Sequence, residues 1–213
     1  MILLTGFEPF GGDTANSSWT AVSKAVQILG AGGTDVEAVQ LPCVFGESAR
    51  VLQEAVGRHN PSLVIGVGQA GGRDRISLER VAINCDDARI PDNSGNRPVD
   101  EEVVPGGPAA YFSSLPLKAA LRALAVAGIP AEVSQTAGTY VCNHIFYSLM
   151  HLLEATPSVR GGFVHVPYEP RQVPAGSRTP SLPAEQAAEA LAVVVREALV
   201  TRTDIRMAAG ATH

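Results

Sequence analysis

The sequence predicts an α/β domain: a three-layer αβα sandwich, with a mixed, mostly parallel central sheet and helices on both faces. Three observations predict it. Short apolar, often β-branched runs alternate with segments of helical period. Their order is βαβαβ, then a β-rich middle, then αβαβα, which suits a central sheet covered on both sides. The chain has 213 residues, 46% of them hydrophobic and 17% charged. With no internal repeat and no linker, it reads as one domain over 1–213, long enough to bury a substantial core.

The elements follow in order. "MILLTGF" reads as the first strand, and "SWTAVSKAVQIL" as a helix with Trp19, Val22, Val26 and Leu29 on one stripe. "VEAVQL" is a strand, "GESARVLQEAVGRH" a helix and "SLVIGV" a buried strand. "SLERVAIN" reads as one continuous strand, with Glu79, Val81 and Ile83 on one face and Leu78, Arg80 and Ala82 on the other. The polar "CDDARIPDNSGNRPVD" cannot build a core, and a loop of that length points to function. "LKAALRALAVAG" is a helix ending at Gly128, with Pro130 beyond it. "AEVSQ" is a strand, Cys142 to Ala155 a helix, "GFVHV" a strand and "PAEQAAEALAVVVREAL" the last helix. The tail, 204–213, is expected to fray. In such folds ligands bind beyond the carboxyl ends of strands, so the loops there hold the candidate residues.

Composition excludes several functions. A net charge of −5 and a pI near 5.5 argue against a nucleic-acid partner. Lys24 and Lys118 are the only lysines, and neither stands in a phosphate-binding GxxxxGK[ST] loop. Cys43, Cys85 and Cys142 are odd in number and widely spaced, which is neither a disulfide framework nor a zinc pattern. They fit a reducing compartment. The N-terminus has no basic region, and no apolar run reaches the ~18 residues of a membrane span. The expectation is a cytoplasmic protein with no membrane partner.

"GVGQAG", residues 66 to 71, matches a dinucleotide-binding pattern. That reading needs a helix to open at once, so that its first amides hold a pyrophosphate. The residues that follow, "GRDRISLERVAIN", alternate as a strand does, so no cofactor is expected. The glycines instead let the backbone approach a small ligand closely.

Cys142 in "TAGTYVCNHIF" carries three readings. A metal site with His144 fails, because residues two apart on a helix point about 200° apart. A core thiol is plausible, since Cys142, Ile145, Phe146 and Leu149 share one stripe. A nucleophile is the third: with Thr139 as N-cap, Cys142 falls in the first turn, where free amides and the helix dipole favour a thiolate and can hold an oxyanion. The base would be His165, because His213 is terminal, His59 lies near a helix end, and His144 and His151 face away from Cys142. A hydrogen-bonded core histidine explains His165 equally well. Glu79 on an apolar face needs a partner; either the imidazole or an arginine, Arg75 or Arg80, would serve. Asp86 and Asp87 read as a solvated turn more readily than as a metal site. The absence of GxSxG disfavours a serine hydrolase elbow.

Six stretches together resemble the pyroglutamyl peptidase I family of cytosolic cysteine peptidases, in its order. They are "TGFEPFGG" (5–12), "GVGQAGGR" (66–73), "ERVAIN" (79–84), "DDARIPDN" (86–93), "TAGTYVCNH" (136–144) and "GGFVHVP" (161–167). The resemblance spans roughly residues 1 to 200. It implies a catalytic trio of Cys142, His165 and Glu79, with Arg89 on the oxyanion side. It also implies substrate contacts from Phe7, Phe10, Asn16, Gln69, Ile90, Tyr140 and Val141, with no metal or cofactor. The substrates would be peptides bearing an N-terminal pyroglutamate, and the assembly a homo-oligomer, often a tetramer. Two departures stand out: "NSSW" at 16–19 where the family commonly has NPSW, and Tyr140 where it often has Phe. Cys43 and Cys85 are expected to be dispensable. The alternative is a catalytically silent small-ligand-binding domain of the same fold.

Overall fold

All six residues of the first strand, β1 (Ile2–Phe7), are buried, as a parallel strand covered on both faces must be. The structure, a computed structural model, describes residues 1–210. In chain order β1 is followed by α1 (Ser17–Ala31), β2 (Val36–Leu41), α2 (Glu47–His59), β3 (Leu63–Gln69) and β4 (Ile76–Glu79). Then come β5 (Val81–Ile83), β6 (Ala110–Phe112), α3 (Leu117–Val126), β7 (Ala131–Ser134), α4 (Val141–Glu154), β8 (Arg160–Val166) and α5 (Ala184–Val200). The central sheet has the order β2-β1-β3-β8-β4-β7. Its first four strands are mutually parallel; β4 runs antiparallel to β8 and parallel to β7.

Alternation along the strands divides the core in two. Ile2, Leu4, Ile65, Val164 and Val166 pack with α1, α3 and α5, and the small Ala187, Ala188, Ala190 and Ala192 bring α5 close. Leu3, Phe7, Val64 and Phe163 point the other way, toward α2 and α4. Helix, sheet and helix form the three layers. Asn16 starts α1: its Oδ1 accepts from Ser18 N–H at 3.0 Å and from the Ser18 hydroxyl at 2.7 Å.

The structure departs from the sequence reading in four places. "SLERVAIN" is not one strand. It breaks at Arg80, so that β4 joins the central sheet while β5 pairs with β6 in a separate two-stranded ribbon. Val81 and Ile83 therefore do not share a sheet face with Glu79. The three-residue β6 escaped detection because so short a run carries almost no periodicity. Helix α4 begins at Val141, with Tyr140 and not Thr139 at the N-cap; the Thr139 hydroxyl donates instead to the Asp87 carbonyl at 2.8 Å. Finally, the expected fraying of 204–213 does not hold at its first residue. The Asp204 carboxylate accepts from Lys118 N–H and Ala119 N–H, each at 3.0 Å, and so caps α3. Residues 211–213, including His213, lie outside the described residues.

Candidate active site

The site grows from register. In the parallel β3–β8 pair Gly66 stands opposite Phe163 and Gly68 opposite His165. In the antiparallel β8–β4 pair Ser77 stands opposite His165 and Glu79 opposite Phe163. Directly paired residues point to the same side of a sheet, so Gly68, His165 and Glu79 all face the α4 layer. A β-carbon on Gly68 would lie 2.7 Å from Cys142 Sγ and 3.0 Å from His165 Cδ2. Sulfur and imidazole thus flank one glycine and fill the space its missing side chain leaves. Of the glycines of "GVGQAG", Gly68 makes room for these two side chains, while Gly66 makes room for Phe163 and Gly71 for Tyr168.

Behind the imidazole, His165 Nδ1 lies 2.7 Å from Glu79 Oε1. An ionised carboxylate only accepts, so Nδ1 carries the proton and Nε2 is left as the basic nitrogen. Arg73 Nη1 donates to the same Oε1 at 2.7 Å. The candidate arginines Arg75 and Arg80 do not play this part; Arg75 pairs with Asp74. Glu79 is fully buried. Burial alone would raise its carboxyl, but the hydrogen bond and charge of His165, with Arg73 adding to them, hold it below the ordinary value.

Cys142 is the second residue of α4. The first helical amide with a partner is His144, which donates to the Tyr140 carbonyl at 3.1 Å; those of Val141, Cys142 and Asn143 donate to nothing among the described residues. These are the free amides of a helix start, and they gather beside the sulfur. The thiol itself departs from expectation. Burial, then the neighbouring Cys43 and Glu79, push its pKa up against the pull of Arg73, and no hydrogen bond joins it to His165. This environment disfavours the thiolate, and the imidazole of His165 is the base beside it.

A cavity of about 280 Å³ opens onto these groups. Phe7, Phe10, Asn16, Gln69, Tyr140 and Val141 line it together with Cys142 and His165. Phe10 and Tyr140 lie with ring centroids 6.0 Å apart, and Phe45 braces Tyr140 edge-on at 5.4 Å. The Tyr140 hydroxyl donates to the Pro91 carbonyl at 3.1 Å. Gln69 is buried, and its Nε2 has no hydrogen-bond partner among the described residues. Among the described residues no carboxylate lines the cavity, and its one arginine, Arg73, is paired with Glu79. Asn16 reaches the wall, but its oxygen is engaged with Ser18 and its nitrogen with the Glu8 carbonyl.

The remaining candidates sit elsewhere. Arg89 is exposed, Ile90 is 47% exposed, and neither lines the cavity; the arginine at the site is Arg73. Its position in "GGR" carried no signal, because the turn that aims it is a tertiary feature. Cys43, expected to be dispensable, is a buried wall of the same cavity, its thiol pushed up to about 12 chiefly by burial. Two other histidines are committed. His144 Nδ1 meets Asp86 at 2.7 Å while its Nε2 accepts from Gly46 N–H, and His151 bonds the Tyr111 hydroxyl at 2.8 Å. Asp86 is therefore buried and paired, not part of a solvated turn. Among the described residues no group of three or more His, Cys, Asp or Glu is arranged to hold a metal, and no helix is long and apolar enough to cross a membrane.

Known proteins resemble this chain along nearly its whole length. A family model described as pyroglutamyl peptidase matches residues 1–201. The pyrrolidone-carboxylate peptidase of Escherichia fergusonii is 55% identical over 212 residues, covering 100% of this chain and 99% of that one. That of Streptomyces coelicolor is 52% identical over 215 residues, with 100% and 99% covered. The crystal structure of pyroglutamyl peptidase I from Bacillus amyloliquefaciens superposes with a TM-score of 0.91 at 49% identity, covering 97% of this chain and 98% of that one.

Proposed function

This chain belongs to the pyroglutamyl peptidase family, whose members are cysteine-type peptidases, and we propose that Cys142, His165 and Glu79 together remove an N-terminal pyroglutamyl residue from peptides. Pyroglutamate is a neutral lactam with no free amine. A peptidase for ordinary N-termini would offer the ammonium a carboxylate, and among the described residues the wall here has none. It offers instead the aromatic faces of Phe7, Phe10 and Tyr140 for the ring and the unpartnered Gln69 Nε2 for the lactam carbonyl. A buried donor left unpaired costs about 1–3 kcal/mol, so a ring lacking that carbonyl is disfavoured.

The observation that carries the reading is the convergence of sulfur, imidazole and free helix amides on one side of this cavity. His165 Nε2 takes the thiol proton as Sγ attacks the pyroglutamyl carbonyl. The amides at the start of α4 receive the oxyanion, each such donor contributing roughly 3–4 kcal/mol to the transition state. His165 then protonates the leaving amine, and a thioester remains. A water deprotonated by the same imidazole releases pyroglutamate. Because burial disfavours the thiolate, sulfur gains its charge as its proton moves to His165, the base of the first step. Glu79 keeps the imidazole in the tautomer this requires.

The test is hydrolysis of a chromogenic pyroglutamyl amide. The wild-type chain should cleave it, and Cys142→Ser should reduce turnover below detection with the melting profile intact. Cleavage that survives Cys142→Ser would remove the nucleophile from this account.

A further inference from the structure

The unpartnered nitrogen of Gln69 owes its direction to groups outside the cavity. Gln69 Oε1 accepts from Ser17 N–H at 2.8 Å, from the Ser17 hydroxyl at 3.2 Å and from Gln172 Nε2 at 2.8 Å. A backbone N–H only donates, so the atom facing Ser17 is oxygen and the amide cannot sit the other way round. Gln172, in a short 3₁₀ turn (Pro170–Gln172) after β8, is fixed by the same logic. Its oxygen accepts from Glu169 N–H at 2.9 Å, and its nitrogen donates also to the Ala15 carbonyl at 3.1 Å. Two side-chain amides are thus locked in series by three backbone groups. Gln172 itself does not line the cavity.

We propose that Gln172 is a positioning residue for ring recognition: it saturates the oxygen of Gln69, so that the cavity meets only N–H donors there and accepts a ring carbonyl in preference to a ring ammonium or methylene. The proposal rests on the peptidase reading above and deepens it. If Gln172 were absent, Gln69 would keep its Ser17 contacts but gain freedom to swing about them. The carbonyl of the bound lactam is remote from the bond being cleaved, so the loss falls on binding more than on the chemical step.

Gln172→Glu tests this directly, because it keeps the oxygen that accepts from Glu169 N–H while removing both donors. Gln172→Met is the uncharged second variant should the first fail to fold. Each should raise KM for a pyroglutamyl amide roughly tenfold, near the upper size of one hydrogen bond, with kcat within about twofold. The inhibition constant of 2-pyrrolidone, a bare lactam, should rise by the same factor. An unchanged KM, or a loss confined to kcat with 2-pyrrolidone binding intact, would overturn the proposal. If the wild-type chain cleaves no pyroglutamyl amide, the peptidase reading fails on its own. The 2-pyrrolidone titration of wild type against Gln172→Glu then still decides the role of Gln172.

Discussion

Glu79 joins the chemistry of the site to the stability of the fold. Its carboxyl is held below the ordinary value of 4.5 by His165 and Arg73 despite complete burial. A depressed acid pKa contributes stability that is fully present above the unfolded-state value and is lost as pH falls through the folded one. Wild-type melting temperature should therefore fall as pH drops below about 4.5. Glu79→Gln should flatten that part of the profile while cutting kcat roughly a hundredfold or more, because the imidazole loses its tautomeric guide. Thermal melts from pH 3 to 7 beside steady-state kinetics check both halves; undiminished turnover would make Glu79 purely structural. At this scale the sequence was informative where a residue broke its local pattern. A carboxylate among strand residues and an imidazole in an apolar strand were both visible. Arg73 was not, because an arginine after "GG" is ordinary until a turn aims it at a buried acid.

Helix α4 and strand β3 form the site by close approach. The start of α4 supplies three free amides, and Gly68 of β3 supplies the volume in which sulfur and imidazole stand. Gly68→Ala places a methyl 2.7 Å from Cys142 Sγ, 2.9 Å from the Phe163 ring and 3.0 Å from His165. None of these has slack, since the helix holds the first and the sheet the others. The variant should lose about 1–3 kcal/mol of stability and on the order of a hundredfold in kcat, as for a reacting group displaced by about 1 Å. Urea denaturation and active-site alkylation of Cys142 would measure the two effects. Near-normal turnover would mean the sulfur and ring do not need this packing. Helical stripes and buried strands were legible for α1, α2, α3 and α5, where period and length are strong. The N-cap of α4 was misplaced by one residue, because Thr139 is a good cap chemically but its hydroxyl is taken by the Asp87 carbonyl across 52 positions of sequence. "SLERVAIN" was misread as one strand because alternation does not reveal which sheet each half joins.

For the whole molecule, the sheet reverses direction between β8 and β4, and that reversal brings Glu79 against His165 from 86 positions away. The site lies at the carboxyl ends of the parallel strands β1, β3 and β8, where Phe7, Gln69 and His165 stand, while stability is shared with distant contacts. The cap that Asp204 places on α3 is one of these. Asp204→Ala should cost about 1 kcal/mol and lower the melting temperature by roughly 2–4 °C in a domain of this size, with KM and kcat unchanged. Calorimetry and the amide assay together check it; an altered KM would tie the tail to the site.

By itself the sequence determined the layered class and most of the elements, and it singled out Cys142, His165 and Glu79 as the proposed trio, because periodicity and out-of-place polar groups are local signals. Only the tertiary structure decided which arginine meets Glu79, that Cys43 shares the cavity while Arg89 does not, that Asp86 is buried against His144, and how Gln172 turns the amide of Gln69. Asp86 and His144 are 58 positions apart and Gln69 and Gln172 are 103, so no short window of sequence contains both members of either pair. Arg73 and Glu79 are only six apart, but which side of the turn the guanidinium takes is decided by how β4 enters the sheet.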